Sequence, residues 1–411
     1  MSSAPAASPP VALYVHVPFC VSICPYCDFV VVAGAAARGP RNRMAAFVDA
    51  LLAELELRAD AADATFGPPG DHRAPLASLY LGGGTPSLLP IDAVGRLLAR
   101  VRDRFGLADG AEVTLESNPG LHERGDLAAL ARAGITRLSI GAQRLERREL
   151  RALGRRHAPG DVADTVALAR RAGIGSVSLD LLYDIPDGTP AAWRATLDAA
   201  LALVPDHLSI YALTLADPTA EGLTGVTGDH LPASSGALRW RERARAGQDE
   251  DRAADEYAYA VERLAAAGFR GYEISNWARP GHESRHNLAY WERRPHEAVG
   301  PGAHAFDGRT RRWNAARLDP YLAALTPADG APARLPPGGA ETPDDVAARA
   351  EAVVLALRTD RGVPLAAVDK APLHQVVAWT LSKGLAEVID GRLVLTTTGR
   401  LLSNEVFARL V

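Results

Sequence analysis

The three cysteines of this 411-residue chain lie close together, in the segment YVHVPFCVSICPYCDF (residues 14–29). Cys20, Cys24 and Cys27 have the spacing C-x3-C-x2-C, and the apolar, β-rich run ALYVHV just before them predicts a strand. An odd number of cysteines cannot form a disulfide framework. In a reducing compartment, such a group more often binds a metal or takes part in catalysis. We therefore expect a metal-binding or catalytic loop after the first strand.

Two kinds of metal site are compatible with three thiolates. A structural zinc site has four ligands, usually from two C-x2-C-type pairs; this chain has no second pair, and His16, which could complete the set, lies within the predicted strand. An iron–sulfur cubane can instead take three thiolates and leave one iron open to a small molecule. The spacing favours the cluster, and zinc remains the alternative.

Strand-like and helix-like segments alternate through the first three quarters of the chain, which indicates an α/β fold with a parallel sheet. The helical patterns include residues 44–59 and 191–204, and Gly134, Gly173 and Gly268 are expected to end helices in the left-handed conformation. The predicted strands are ALYVHV (12–17), SLYLG (78–82), EVTLES (112–117), TRLSIG (136–141), SVSLDLL (176–182), HLSIYAL (207–213) and GYEIS (271–275).

Polar or glycine residues follow several of these strands at the point where each strand ends. Ligand sites of parallel βα folds lie at the carboxyl ends of the strands, so we expect these residues to converge on one face. Consecutive glycines would let backbone amides approach a ligand closely, although they also suit a tight strand exit. The strand-end residues are Gly82–Gly83–Gly84–Thr85–Pro86, Glu116–Ser117–Asn118, Gly141–Ala142–Gln143, Asp180 and Tyr211.

A second group of chemically capable residues lies in YEISNWARPGHESRHNLAYW (272–291). Here His286, Tyr290 and Trp291 could ligate haem iron and stack on a porphyrin. A loop that packs its Trp and hydrogen-bonds its His explains the same residues equally well. The chain offers further candidate iron ligands in His16, His282 and His304.

The organisation predicted from the sequence has four parts. Residues 1–10 are a disordered lead, 11–325 the α/β domain, 326–345 a Pro- and Gly-rich linker, and 346–411 a small helical, winged-helix-like domain. That last domain contains a hairpin at 385–396, which turns at Asp390–Gly391. Within the α/β domain, 214–250 lacks clear periodicity and is expected to be an extended loop with a mobile basic stretch at 239–245.

Composition narrows the classes of function. The net charge of −4 gives no reason to expect nucleic acid or an anionic membrane as partner. A transmembrane helix would need about 18 consecutive apolar residues, which the chain lacks, and its start has no signal-peptide pattern. A cytoplasmic location is expected, with any membrane contact made through a partner.

The cysteine motif resembles that of the radical S-adenosylmethionine (SAM) superfamily, and LYVHVPFCVSICPYCDF resembles its oxygen-independent coproporphyrinogen III oxidase family. The resemblance implies a partial TIM-like (β/α)6 barrel. It also implies a [4Fe–4S] cluster on Cys20, Cys24 and Cys27, with SAM on the fourth iron and cleaved to a 5′-deoxyadenosyl radical.

Further site residues follow from the same resemblance. GGGTP, which includes Gly83, Gly84 and Thr85, matches the segment beside the SAM amino group, and Glu116 matches the contact to the SAM ribose. Gln143, Arg155 and Asp180 match additional SAM contacts. Tyr14 and Tyr26 match aromatic contacts that flank the cysteine loop, and core packing explains each of these two tyrosines equally well.

Other motifs resemble the HemW branch of this family, the haem chaperones: HNLAYW, GPGAHAF (300–306) and LTTTGRLLSNEVF (395–407). The oxidase usually has a fourth cysteine two residues after the third, where this chain has Phe29, and it has a longer segment before the motif. The leading hypothesis is therefore a protein that binds haem, the cluster and SAM and delivers haem to a haem-accepting protein; a homodimer is compatible with it. The alternatives are an oxidase that makes protoporphyrinogen IX and a zinc-stabilised module without SAM.

Overall fold

The computed structural model describes residues 7–39, 42–70, 72–327, 330–369 and 373–410. Within these ranges, twelve strands form one sheet in the order β12-β11-β10-β9-β1-β2-β3-β4-β5-β6-β8-β7. These strands are β1 Ala12–Val17, β2 Leu76–Gly83, β3 Leu107–Ser117, β4 Arg137–Gln143, β5 Ser176–Tyr183, β6 His207–Ala212, β7 Arg270–Gly271, β8 Asn276–Ala278, β9 His296–Val299, β10 His304–Phe306, β11 Arg311–Asn314 and β12 Gly338–Glu341.

Helices alternate with the strands and cover the sheet. Their apolar faces pack on it in one large core, which includes Leu51, Leu98, Val162 and Trp193. The helices of this part are α1 Met44–Phe66, α2 Ile91–Arg104, α3 Leu127–Ala133, α4 Arg147–Ala152, α5 Pro159–Arg171, α6 Pro190–Ala202, α7 Ser235–Arg245, α8 Glu250–Ala266, α9 Arg285–Trp291 and α10 Leu318–Leu325.

The first six strands are parallel, as the sequence predicts, and they pair as neighbours in chain order. On the other side of β1, β9 is also parallel to it, while β10 to β12 continue antiparallel. The predicted α/β class and partial barrel are confirmed. Gly134, Gly173 and Gly268 have φ of 115°, 81° and 82°, the left-handed conformation expected where a helix ends.

The predicted strand at 271–275 is wrong. Only Gly271 belongs to a strand, and β7 and β8 form an antiparallel hairpin beside β6. The carboxylate of Glu273 accepts hydrogen bonds from the Ser275 backbone (3.0 Å) and the Asn276 side chain. These local bonds stabilise a turn in place of a strand ladder.

The extended loop predicted for 214–250 is wrong in its second half, which forms α7. Ser234 caps this helix by accepting a hydrogen bond from the backbone of Ala237 at 3.2 Å. The helix buries Arg241 together with Ala244, and Trp240 packs against the same apolar cluster, so its inner face combines an arginine with apolar side chains. The stretch expected to be mobile and basic is therefore a docked helix.

The linker prediction also needs correction. Residues 338–341 form β12, which pairs with β11 and extends the main sheet. Residues 328–329 and the first six residues of the predicted lead lie outside the described ranges. In the described part of the lead, the Ser8 backbone donates a hydrogen bond to the Asp307 carbonyl at 3.2 Å.

The C-terminal part has its own core around Val353, Leu357 and Phe407 and its own small sheet, which confirms helices with a hairpin. Asp390 and Gly391 have φ of 48° and 73°, as a two-residue hairpin turn requires. Its elements are α11 Asp345–Leu357, β13 Val363–Pro364, α12 Leu373–Ser382, β14 Ala386–Ile389, β15 Arg392–Leu395, α13 Thr397–Leu401 and α14 Ser403–Phe407. No helix among the described residues is both long and apolar enough to cross a bilayer.

Glu54 on α1 is a buried carboxylate that ties distant parts of the chain together. It accepts hydrogen bonds from the Gly300 backbone at 2.9 Å, the Asn314 amide at 2.7 Å and the Tyr321 hydroxyl at 2.8 Å. Arg58, one helical turn away, pairs with it at 3.2 Å. This network holds the GPGAHAF segment against the helix layer.

Replacing Glu54 with Ala removes the acceptor of the Gly300 backbone and of the Tyr321 hydroxyl, and it takes away the ionic partner of the partly buried Arg58, which keeps only the neutral Asn314 Oδ1 as acceptor. We expect Glu54→Ala to lower the free energy of unfolding by about 3 kcal/mol, as when one partner of a buried ion pair is removed. Urea denaturation would measure the loss. Glu262→Ala, at an exposed position of α8, is the control and should change stability by less than about 0.5 kcal/mol. Equal stability of the two variants would contradict the network's role.

Candidate functional site

A cavity of about 420 Å³ opens at the carboxyl edge of β2 to β6 and is called the first cavity here. The three cysteines and most of the predicted strand-end residues line it, so the expected convergence on one face is present. Among its lining residues are Cys20, Cys24, Tyr26, Cys27, Tyr80, Gly83, Gly84, Glu116, Asn118, Arg137, Gln143, Arg155, Asp180 and Tyr211.

The cysteine loop is closed at its base. The Cys20 backbone donates to the Val32 carbonyl at 2.9 Å, and the Val32 backbone donates to the Pro18 carbonyl at 2.7 Å. Within the loop, a turn bond of 3.0 Å joins the Cys27 backbone to the Cys24 carbonyl. The three cysteines therefore lie on a short loop, and backbone hydrogen bonds fix its base directly after β1.

Polar groups of the barrel contact two of the thiols. Cys20 Sγ lies 3.5 Å from Thr85 Oγ1, and the guanidinium of Arg155 donates to Cys24 Sγ at 3.5 Å. Burial raises the pKa of the Cys20 thiol to about 11 and that of the Cys27 thiol to about 12. Thiolates at these positions therefore need a nearby positive charge.

Arg155 lies in the first cavity, whereas its neighbour Arg156 is exposed. The Arg155 guanidinium also donates to the Gly141 carbonyl at 2.9 Å and to the Asn118 side chain. These bonds direct the cation toward the cysteine loop. Asn118 in turn donates to Thr85 Oγ1 at 3.0 Å, which links the ends of β2 and β3.

Sequence reasoning missed the role of Arg241 on α7. Its guanidinium donates to the Pro25 carbonyl at 3.0 Å, the Cys27 carbonyl at 2.8 Å and the Ala216 carbonyl. Arg241 therefore fastens the cysteine loop from the outside. The basic run 239–245 was visible in the sequence, but no pattern showed that one of its arginines is buried.

The glycines at the end of β2 pack tightly and also present a donor. A Cβ on Gly84 would lie 2.6 Å from the Phe19 carbonyl oxygen, and Gly83 has a φ of 107°. The Gly83 backbone donates to Glu116 Oε2 at 2.9 Å. Both explanations for this motif, a tight strand exit and a close approach of backbone to a site, fit the structure.

Two partly buried carboxylates face the first cavity. Glu116 accepts a hydrogen bond from the Tyr80 hydroxyl at 2.7 Å, and burial raises its pKa to about 7. Asp180 accepts hydrogen bonds from Ser139 at 3.0 and 3.1 Å, and burial raises its pKa too. Each carboxylate retains acceptor capacity for a ligand.

Gln143 and Arg137 supply further polar groups. Gln143 has a φ of 56° at an irregularity of β4, and its Oε1 is buried without a partner among the described residues. Arg137 brings a buried cation to the same cavity, and its Nε also lacks a described partner. Arg137 lies inside a predicted strand, so its sequence position gave no indication of a site.

A second cavity, of about 520 Å³, opens on the other side of the cysteine loop. Asp28 and Phe29 line both cavities and form a shared wall. Histidines and aromatic side chains dominate the second cavity. Its lining includes Tyr14, His16, Asp229, His230, Tyr290, Trp291, Arg293, His296, His304, Phe306 and Arg311.

The structure separates the residues of the HNLAYW motif. Tyr290 and Trp291 line the second cavity, but His286 does not and is only 1% exposed. Its Nδ1 is 3.0 Å from Ser78 Oγ and its Nε2 is 2.8 Å from the Tyr290 hydroxyl. Both ring nitrogens are therefore engaged inside the protein, and burial lowers the pKa of His286 to about 3.

The other candidate histidines occupy different positions. His16 uses both ring nitrogens, with Tyr14 at 3.0 Å and the Val30 carbonyl at 2.7 Å. His282 is 3.1 Å from Ser176 Oγ, at the opposite edge of the sheet. His304 lines the second cavity. Sequence reasoning missed Asp229 and His230, which lie in the aperiodic segment before α7.

Comparison with known proteins places these motifs in a family. The model of the radical SAM superfamily matches residues 14–200. A haem chaperone HemW from Mycobacterium tuberculosis is 39% identical over 408 residues, which cover 99% of this chain and 96% of that protein. Escherichia coli HemW is 36% identical over 310 residues, or 74% of this chain and 73% of that protein.

A solved structure shows the same fold. The radical SAM enzyme coproporphyrinogen III oxidase (HemN) from Escherichia coli aligns with a TM-score of 0.75 and 22% identity, over 98% of this chain and 90% of that one. The family predicted from the cysteine motif and HNLAYW is thus confirmed: this chain belongs to the radical SAM superfamily and, within it, to the HemW family.

Proposed function

We propose that this protein binds haem beside a SAM-binding [4Fe–4S] cluster and delivers the haem to a haem-accepting protein. The observation that carries the proposal is the pair of adjacent cavities that share Asp28 and Phe29. One cavity has the residues for a cluster with SAM, and the other is rich in aromatic and imidazole groups. Curated relatives named haem chaperones support the assignment of haem.

The first cavity fits a cluster held by Cys20, Cys24 and Cys27. The three thiols are on one anchored loop, and Arg155 provides a cation beside Cys24 at 3.5 Å. Cysteine thiolates are the usual ligands of such clusters. The cluster and SAM supply one-electron chemistry when bound, and the protein residues supply position and exclude water.

The polar lining of the first cavity fits the different parts of SAM. Free lone pairs of the Glu116 carboxylate can accept hydrogen bonds from the ribose hydroxyls. Arg137 and the unpartnered Oε1 of Gln143 can contact the charged methionyl end, while Asp180 offers a further acceptor. These roles, like those of Tyr26 and the GGGTP segment, are part of the proposal.

The second cavity fits haem. Its volume lies in the range typical of cofactor sites, and such sites combine apolar surfaces with a few polar groups. Tyr290 and Trp291 provide aromatic surface. Arg293 and Arg311 both pair with Glu351, which also lines this cavity, and the remaining N–H groups of their guanidinium groups can donate to the propionates. Tyr14 contributes to this cavity and does not line the first one, which moves its proposed contact from SAM to haem.

A chaperone role requires that haem stays chemically unchanged and can leave. Phe29 is 62% exposed on the wall between the cavities, where the oxidase usually has its fourth cysteine. An apolar side chain at this position can separate the cluster from haem but cannot ligate iron. Three further points are predictions: that a haem-accepting partner protein exists, that the protein is cytoplasmic and that it forms a homodimer.

One experiment separates this function from the oxidase. The cluster is reconstituted without oxygen; one sample receives SAM, reductant and coproporphyrinogen III, and a parallel sample is titrated with haem. We expect stoichiometric haem binding, transfer to an apo-haemoprotein and no protoporphyrinogen. Formation of protoporphyrinogen, or failure of the protein to bind haem, would overturn the proposal.

Arg241→Gln should weaken the cluster without altering any of its ligands. The substitution removes bonds to the Pro25 and Cys27 carbonyls, so the loop gains freedom. We expect iron to be lost to a chelator about ten-fold faster than from the unmodified protein, since outer-sphere groups typically contribute this much to metal sites. Arg243→Gln, exposed on the same helix, is the control, and equal loss rates would refute the role of Arg241.

SAM binding should depend on the ionisation of Glu116. Its pKa of about 7 means that raising the pH from 6 to 8 converts it from mostly protonated to mostly charged. If only the carboxylate accepts from the ribose, the apparent SAM affinity rises by about ten-fold over this interval. Isothermal titration calorimetry would measure the trend. Glu116→Gln should flatten it, and an unchanged pH dependence in this variant would assign the effect to another group.

A further inference from the structure

Asp229 lies between two histidines in the second cavity. Its Oδ1 is 2.9 Å from His230 Nδ1, and its Oδ2 is 2.8 Å from His304 Nε2. The two imidazoles therefore share one carboxylate through opposite oxygens. Of these three residues, His304 belongs to GPGAHAF, whereas Asp229 and His230 lie outside the motifs recognised in the sequence.

The segment that carries Asp229 is fixed to the antiparallel end of the main sheet. The Ala316 backbone donates to the Gly228 carbonyl at 2.8 Å, and the Trp313 indole donates to the Thr227 carbonyl at 3.1 Å. The ring of His304 in turn stacks on Trp313, with the ring centroids 5.9 Å apart. Asp229 is thus held at a defined position on the cavity wall.

The bond to Asp229 determines which nitrogen of each histidine is free. His230 uses Nδ1, so its outermost atom, Nε2, has no hydrogen-bond partner among the described residues. His304 uses Nε2 for Asp229, so the ring nitrogen that stays free is Nδ1. This nitrogen lies close to the backbone of His304 itself and is less accessible to a ligand. Histidines that bind metals commonly donate their other ring N–H to a carboxylate, which fixes the tautomer.

The remaining histidines near the second cavity are less suitable. Both nitrogens of His286 and of His16 are engaged by protein groups. His296 is 3.1 Å from the Arg294 carbonyl through Nδ1, and its ring packs edge-on against Tyr290 at 4.6 Å. Of these, His296 alone could offer an Nε2, and its orientation is fixed by a neutral carbonyl and not by a carboxylate.

We propose that Nε2 of His230 ligates the haem iron in the second cavity, while Asp229, supported by His304, fixes the orientation of its ring. This inference rests on the proposed haem-binding function and reassigns the ligand from His286. His230 lies on a coil segment, and its side chain is 30% exposed. A ligand on such a segment is reached from solvent, which suits a haem that must be handed to another protein.

The test is a ferric haem titration of the full chain, followed by optical and EPR spectra of the iron. We expect His230→Ala to bind haem at least ten-fold more weakly and to lose the signature of histidine ligation, and added imidazole should restore it. Asp229→Asn should weaken binding by about ten-fold, as second-sphere carboxylates do at metal–histidine sites. His374→Ala, exposed on α12, should behave like the unmodified protein.

Two comparisons make the outcome unambiguous. Iron and sulfide content measured after cluster reconstitution should be equal in His230→Ala and the unmodified protein, which shows that the variant is folded. An unchanged haem spectrum in His230→Ala, with histidine ligation lost in His296→Ala or His286→Gln, would overturn the assignment. If the unmodified protein binds no haem, the proposed function itself fails.

Discussion

The parallel pairing of β1 with strands on both sides is the constraint on which the site depends. β2 pairs with β1 along its whole length, so that Val17 lies opposite Gly83 at the carboxyl edge. β9 pairs with the other side of β1, also in parallel. The loop that follows β1 must therefore emerge between two groups of strand ends. That position gives the cysteine loop one face toward the first cavity and one toward the second.

Buried polar groups maintain this arrangement, because each needs a partner inside the protein. Glu54 fixes the segment around Gly300 against α1, and Arg241 fastens the cysteine loop from α7. Glu112 accepts the backbone N–H groups of Arg285 and His286, and so seats α9 within the barrel. The position of α9 brings Tyr290 and Trp291 to the second cavity while it keeps His286 in the interior.

Much of the fold could be predicted because its signals are local. The six parallel strands are continuous apolar runs, and each ends at glycine or polar residues that meet at one edge of the sheet. Because these strand ends meet at one edge, the sequence also predicted that Glu116, Gln143 and Asp180 would lie close together, although they are far apart in the chain. HNLAYW indicated the family, yet it could not reveal that a buried Ser78 would engage its histidine.

The features that escaped prediction depend on long-range packing. α7 buries Arg241, and two of its three carbonyl acceptors lie more than 200 residues earlier in the chain, so no periodicity of the helix sequence could indicate this burial. The turn at Glu273 replaces a strand because its carboxylate satisfies nearby donors. His230 and Asp229 lie in an aperiodic segment, and only the folded chain brings them into the same cavity as Tyr290 and Trp291.

The most direct test of this account is a crystal structure of the protein reconstituted with both groups, with iron located by anomalous scattering. We predict iron at two places: at the three cysteines, and in the second cavity within bonding distance of His230 Nε2, with Phe29 between them. Iron from haem found in the first cavity, or bound at His286, would contradict the separation of the two sites.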